Sequence, residues 1–175
     1  EIKVCGINDQ TSMKTALKCK VDYVGLVFYE NSPRNISINL SSELLKSRNK
    51  RTKIVALTVD PNDDFLNELK KSVKPDYIQL HGKESASRCF AIKSQFNIPL
   101  IKGINVKNKV GLLRKRDEFE DICDILLLDA PSEDLPGGNG KKFDWDTLKD
   151  FKSKKKWMLA GGLNIKNIKN AIDIT

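Results

Sequence analysis

No apolar run in this chain approaches the roughly 20 residues that span a bilayer, and its first residues do not form a basic-then-apolar leader. Membrane insertion is therefore not expected. Cysteine is sparse, with 4 in 175 residues. Cys5, Cys19, Cys89 and Cys123 lie far apart, and no C-x-x-C pair offers the usual zinc or dithiol chemistry. Free thiols in a reducing cytoplasm are the simplest expectation, with no metal. No G-x-G-x-x-G follows the first strand-like run, which argues against a dinucleotide-binding fold. No linker rich in Pro, Gly or Ser divides the chain, so residues 1–175 are read as a single domain. Aromatics make up only 7% and do not interleave with the basic residues, so nucleic-acid binding is not expected.

What is present is an ordinary globular balance, 39% apolar and 31% charged. Lys plus Arg is 31 against 23 for Asp plus Glu, a formal charge of +8. That excess reads first as a lysine-rich solvated surface; it also offers an attractive field to a small anionic metabolite. Strand-like runs recur at Ile2 to Cys5, Tyr23 to Phe28, Lys53 to Val59, Tyr77 to Leu80, Pro99 to Ile104, Asp124 to Leu128 and Trp157 to Ala160. Helix-period segments near residues 10–20, 40–49, 62–73, 84–96, 107–121, 144–153 and 164–174 follow them. Asn62-Asp63-Asp64 is a helix start, and Phe65, Leu66, Leu69 and Val73 give that helix its apolar stripe. Strands alternating with helices require parallel pairing through crossovers, in a (β/α)8 barrel or an open doubly wound sheet. Seven βα units are one short of a closed eight-unit barrel, which typically takes about 250 residues. The expected fold is thus α/β, a (β/α)8 TIM barrel lacking its eighth βα unit in this chain.

In such a barrel functional side chains sit where strands end. The first strand ends at Cys5-Gly6, and the second runs into Ser32-Pro33-Arg34. The fourth ends in Gln79-Leu80-His81-Gly82, the sixth in Asp129, and the seventh in Gly161-Gly162-Leu163-Asn164. Residues two apart share a strand face, so Gln79 aligns with His81 and Cys5 with Lys3. The glycine-rich loop Gly137-Gly138-Asn139-Gly140 behind Asp129 can bring bare backbone N–H groups close to an anion. Each residue also has a plainer reading. Cys5 fits a small buried hydrophobe, Asp129 a turn cap, His81 a structural histidine, Arg34 a surface residue and Gly138–Gly140 a tight loop. Cys19, Cys89 and Cys123 are read as packing residues.

Taken in order, Lys3-Val4-Cys5-Gly6-Ile7, Gly25-Leu26-Val27-Phe28, Ser32-Pro33-Arg34, Gln79-Leu80-His81-Gly82, Asp129 with Gly137 to Trp145, and Leu159-Ala160-Gly161-Gly162-Leu163 resemble the phosphoribosylanthranilate isomerase family. The resemblance covers essentially the whole chain. It implies a (β/α)8 barrel that rearranges N-(5-phosphoribosyl)anthranilate to 1-(2-carboxyphenylamino)-1-deoxyribulose 5-phosphate in tryptophan biosynthesis, without metal or organic cofactor. It implies Cys5 as general base at C2′ and Asp129 as general acid on the ribose ring oxygen. Arg34 matches the arginine that holds the anthranilate carboxylate. Gln79 and His81 would contact substrate, and Gly138, Gly140, Gly161 and Gly162 would hold its phosphate. The expected partner is that small phosphorylated substrate, met in the cytoplasm by a monomer or homodimer. A second reading keeps the barrel but makes Lys3 or Lys102 the acid or Schiff-base donor of a related phosphosugar enzyme. A third makes the chain a basic binding module.

Overall fold

The structure, a computed structural model, describes residues 1–130 and 144–174. Its strands are β1 (Lys3–Cys5), β2 (Tyr23–Phe28), β3 (Lys53–Thr58), β4 (Tyr77–Leu80), β5 (Leu100–Asn105), β6 (Ile125–Asp129) and β7 (Lys156–Leu159). Its α-helices are α1 (Gln10–Lys18), α2 (Ile38–Leu45), α3 (Asp63–Ser72), α4 (Ala86–Phe96), α5 (Lys109–Phe119) and α6 (Ile168–Ile174). The strands stand within one or two residues of the expected positions. The chain forms two compact units, Glu1–Leu100 and Ile101–Thr175.

In the first unit β1 to β4 pair side by side, all parallel, with Cys5 opposite Gly25, Gly25 opposite Val55 and Val55 opposite Tyr77. One face, carrying Val24, Leu26, Ile54, Ala56, Ile78 and Leu80, is fully buried. Helices cover it: Phe28 meets Phe65 of α3 edge to face at 6.2 Å between centroids. The opposite face carries Cys5, Gly25, Val55 and, one layer further along, Val27, Leu57 and Gln79. With both faces occupied, β2 is buried along its whole length, which explains its unbroken apolar run.

Helix starts are set locally. Asp9, Ser37, Asn62 and Ser85 cap α1 to α4 by accepting the backbone N–H three residues on, as Asn108 does for α5. Ser37 places the start of α2 before the residue-40 start expected from periodicity. Leu66, Leu69 and Val73 bury the α3 stripe as expected, while Phe65 stays partly exposed. Cys89 and Cys123 are buried packing residues, but Cys19 is exposed at the end of α1, contrary to expectation.

In the second unit β5, β6 and β7 pair in parallel, with Gly103 opposite Leu127, Leu127 opposite Met158, and Asn105 opposite Asp129. The helix expected over 144–153 is a single 3-10 turn, Trp145–Leu148. That turn buries Trp145 and Leu148; Phe151 follows three residues on but packs edge to face on Trp157 of β7, 5.5 Å between centroids. Lys149 turns extended and Asp150 takes a φ of 63°. Beyond it Glu120 accepts bonds from the Ser153 hydroxyl and the Lys154 N–H, both at 3.1 Å, steering the basic segment into β7.

Candidate active site

The carboxyl ends of the first unit's strands hold two groups of the expected residues. Cys5, half-buried, closes β1. Its thiol occupies the room left by a missing side chain: a Cβ on Gly25 would lie 2.7 Å from Cys5 Sγ. Gly25 thus makes room for the thiol, which sequence reasoning did not single out, although a glycine inside an apolar strand often marks a close approach. Arg34 lies over the turn after β1, its Cδ 2.5 Å from where a Gly6 Cβ would stand. The β2–α2 loop fixes it there through short turns. The Ser32 hydroxyl accepts the Arg34 N–H at 3.2 Å, Ser32 O accepts the Asn35 N–H at 3.0 Å, and Asn35 Oδ1 accepts the Tyr29 N–H at 2.9 Å. The thiol thus packs on Gly25 and the Arg34 side chain on Gly6, the residue that follows Cys5. At the end of β4, the Gln79 amide and the His81 ring pair at 2.9 Å between Nε2 and Nδ1, as their shared strand face predicts. Gln79 is 1% exposed, and the backbone His81 N–H is held by Thr58 O at 2.9 Å.

The second unit holds a third group. Asp129 ends β6 with 5% of its surface exposed, and its Oδ1 accepts the Ala130 N–H at 2.8 Å. Gly161 packs directly on it. A Cβ there would stand 2.8 Å from Asp129 Oδ1 and 2.7 Å from Ala130 N, and the residue takes a φ of 89° that L side chains rarely adopt. Gly162 follows at a φ of 64°. The N–H groups of Gly161, Gly162 and Leu163 meet no acceptor among the described residues. Successive free donors on a left-handed turn can converge on an anion. Gly138 and Gly140 lie outside the described residues.

Lys102 faces the other way. Its ammonium sits 5.5 Å from the centre of the Phe119 ring on α5, with 3% of the residue exposed. Register puts it opposite Leu126, on the face away from Asp129. It is therefore a lysine of the helix-covered layer.

Parallel βα units that carry a thiol, a guanidinium, a carboxylate and a double-glycine turn at strand ends define an enzyme of the (β/α)-barrel class. The family model for N-(5'phosphoribosyl)anthranilate (PRA) isomerase matches residues 2–175. The chain is 37% identical over 175 residues to the N-(5'-phosphoribosyl)anthranilate isomerase of Agrobacterium fabrum, covering 98% of this chain and 79% of that protein. The crystal structure of phosphoribosyl anthranilate isomerase from Thermotoga maritima superposes with a TM-score of 0.86 at 26% identity, over 98% of this chain and 82% of that one. A further isomerase structure, in complex with reduced 1-(o-carboxyphenylamino)-1-deoxyribulose 5-phosphate, gives 0.83 at 26% identity, over 98% and 80%. The chain belongs to the phosphoribosylanthranilate isomerase family, and its fold is α/β of the TIM-barrel class.

Proposed function

We propose that Cys5 and Asp129 are the base and the acid of this isomerase. The reaction is the conversion of N-(5'-phosphoribosyl)anthranilate to 1-(2-carboxyphenylamino)-1-deoxyribulose 5-phosphate, in tryptophan biosynthesis. The observation that carries the reading is the family match along residues 2–175, which takes in each strand end described above.

Asp129 gives a proton to the ribose ring oxygen; the C1′–O bond breaks and the anilino nitrogen supplies the electrons for a C1′=N iminium. That iminium acidifies the C2′ hydrogen. Cys5 takes this proton as thiolate, and the C–H electrons form the C1′=C2′ bond of an enolamine. Return of a proton to C1′ and loss of one from the C2′ hydroxyl give the ketone. Atoms balance without a cofactor. A free thiol titrates near 8.5, so thiols can serve as bases not far from neutral pH. A carboxyl that donates must hold a proton at that moment.

Arg34 offers a planar fork to the anthranilate carboxylate, which lysine would match poorly. Gly161 and Gly162, with Gly138 and Gly140, present backbone N–H groups to the phosphate. Gln79 and His81 contact the substrate. The residues 1–175 act as one barrel domain, as a monomer or a homodimer, in the cytoplasm, where Cys5, Cys19, Cys89 and Cys123 remain free thiols. No helix among the described residues is long and apolar enough to cross a membrane.

The test is turnover. Anthranilate fluorescence is expected to decay when the purified chain meets N-(5'-phosphoribosyl)anthranilate, with the deoxyribulose phosphate accumulating one for one. A folded protein that leaves the fluorescence unchanged would count against the proposal.

A further inference from the structure

The double-glycine turn after β7 raises a question that its glycines alone do not answer. A turn free to take many conformations would spend its backbone donors on water or on its own carbonyls. Here one carbonyl is held from behind. Gly162 O accepts a bond from Asn167 Nδ2 at 2.9 Å and a longer one from Asn164 Nδ2 at 3.3 Å. The other end of the Asn167 amide is also used: Oδ1 accepts the Asn164 N–H at 2.8 Å. The Asn167 N–H in turn bonds Asn164 O at 3.1 Å. Asn167 is 6% exposed, so neither side-chain bond competes with bulk water.

Peptide geometry converts this into a direction. In a planar trans peptide the carbonyl and the following N–H point to opposite sides, and this chain has no cis peptide among the described residues. Drawing the Gly162 carbonyl toward Asn167 therefore turns the Leu163 N–H away from Asn167. That N–H, with those of Gly161 and Gly162, meets no acceptor among the described residues, on residues that are only partly covered.

We propose that Asn167 is the positioning residue of the phosphate seat, holding the Gly162 carbonyl back so that the Gly161–Leu163 amides stay presented to an anion. The inference rests on the reading of this turn as the place where the substrate phosphate binds. Asn167 itself touches no substrate; it acts through the backbone it pins.

Asn167→Leu keeps the shape and removes both bonds, and Asn167→Ala removes the side chain. Asn164→Ala deletes the weaker support of the carbonyl together with the bond that Asn164 Oδ1 accepts from the Lys166 N–H at 2.9 Å. The probe is inorganic phosphate, followed by its protection against thermal unfolding and by its competitive inhibition of turnover. Losing the pinning bond is expected to weaken phosphate binding, and to raise KM for the substrate, by about tenfold in both Asn167 variants. kcat should stay within about threefold, because the reacting atoms are untouched. Asn164→Ala should show a smaller change in the same direction, and decides the matter if the Asn167 variants do not fold. Variants that melt earlier yet bind phosphate as the wild type does, with KM unchanged, overturn the inference, as does a wild type indifferent to phosphate. Turnover with phosphate affinity independent of Asn167 sinks the positioning role and leaves the reaction standing. Phosphate affinity that depends on Asn167, without turnover, keeps the seat and removes the reaction.

Discussion

Cys5 is useful only where its sulfur is, and its place is decided by a neighbour that has no side chain. Adding a methyl at Gly25 puts a carbon 2.7 Å from Sγ, so the thiol must move. Displacements of that size at a reacting group cost about a hundredfold in rate. Gly25→Ala is therefore expected to lower kcat by about ten- to a hundredfold while circular dichroism remains that of the parent; unchanged kcat would place the thiol outside the reaction. Gly161 stands in the same relation to Asp129. Here the sequence and the structure diverge in an instructive way. The reactive types, Cys5, Arg34 and Asp129, announce themselves by chemistry and by their positions after strand runs. The residues that shape space for them, Gly25 above all, do not, because a missing side chain is informative only once the residue opposite is known. Asn167 escaped notice for a related reason: its two bonds go to backbone groups three and five residues earlier, which no side-chain pattern reports.

The elements were more legible than the site. Strand runs such as Leu126–Leu128 are apolar on both faces and cannot be mistaken for surface, and capping residues sit at the helix starts. Asn62 accepts the Phe65 N–H at 2.8 Å, with Asp63 and Asp64 completing the first turn of α3. Asn62→Ala should lower the unfolding free energy by about 1 kcal/mol, read as a shift in the urea midpoint, with kcat/KM unaffected; no shift would mean that α3 starts elsewhere. Where the reading failed, a local pattern stopped short. Residues 144–153 carry Trp145, Leu148 and Phe151 three apart, but Asp150 takes a positive φ and Phe151 packs on Trp157 of β7, so the chain forms a 3-10 turn and then follows Glu120. The direction of Lys102, a candidate only in the alternative reading, was not legible either. It stands at a strand position one residue off the face that carries Asp129, and only the register with Leu126 shows which way it points.

For the molecule as a whole, the formal charge of +8 meets a substrate bearing a phosphate and a carboxylate. Long-range attraction of this kind is screened as the Debye length falls from about 30 Å at 0.01 M salt to about 8 Å at 0.15 M. kcat/KM is expected to drop about three- to tenfold over that range, with kcat constant. A flat profile would reduce the excess charge to a solvated surface. The central claim is the division of labour between Cys5 and Asp129, and the most direct measurement compares turnover with binding in Cys5→Ser and Asp129→Asn. Each substitution keeps size and removes one proton-transfer group, so each should lower kcat by about 10²–10⁴-fold while the dissociation constant of the reduced product analogue stays within a few-fold of the wild type. Near-normal kcat in either variant would contradict the account.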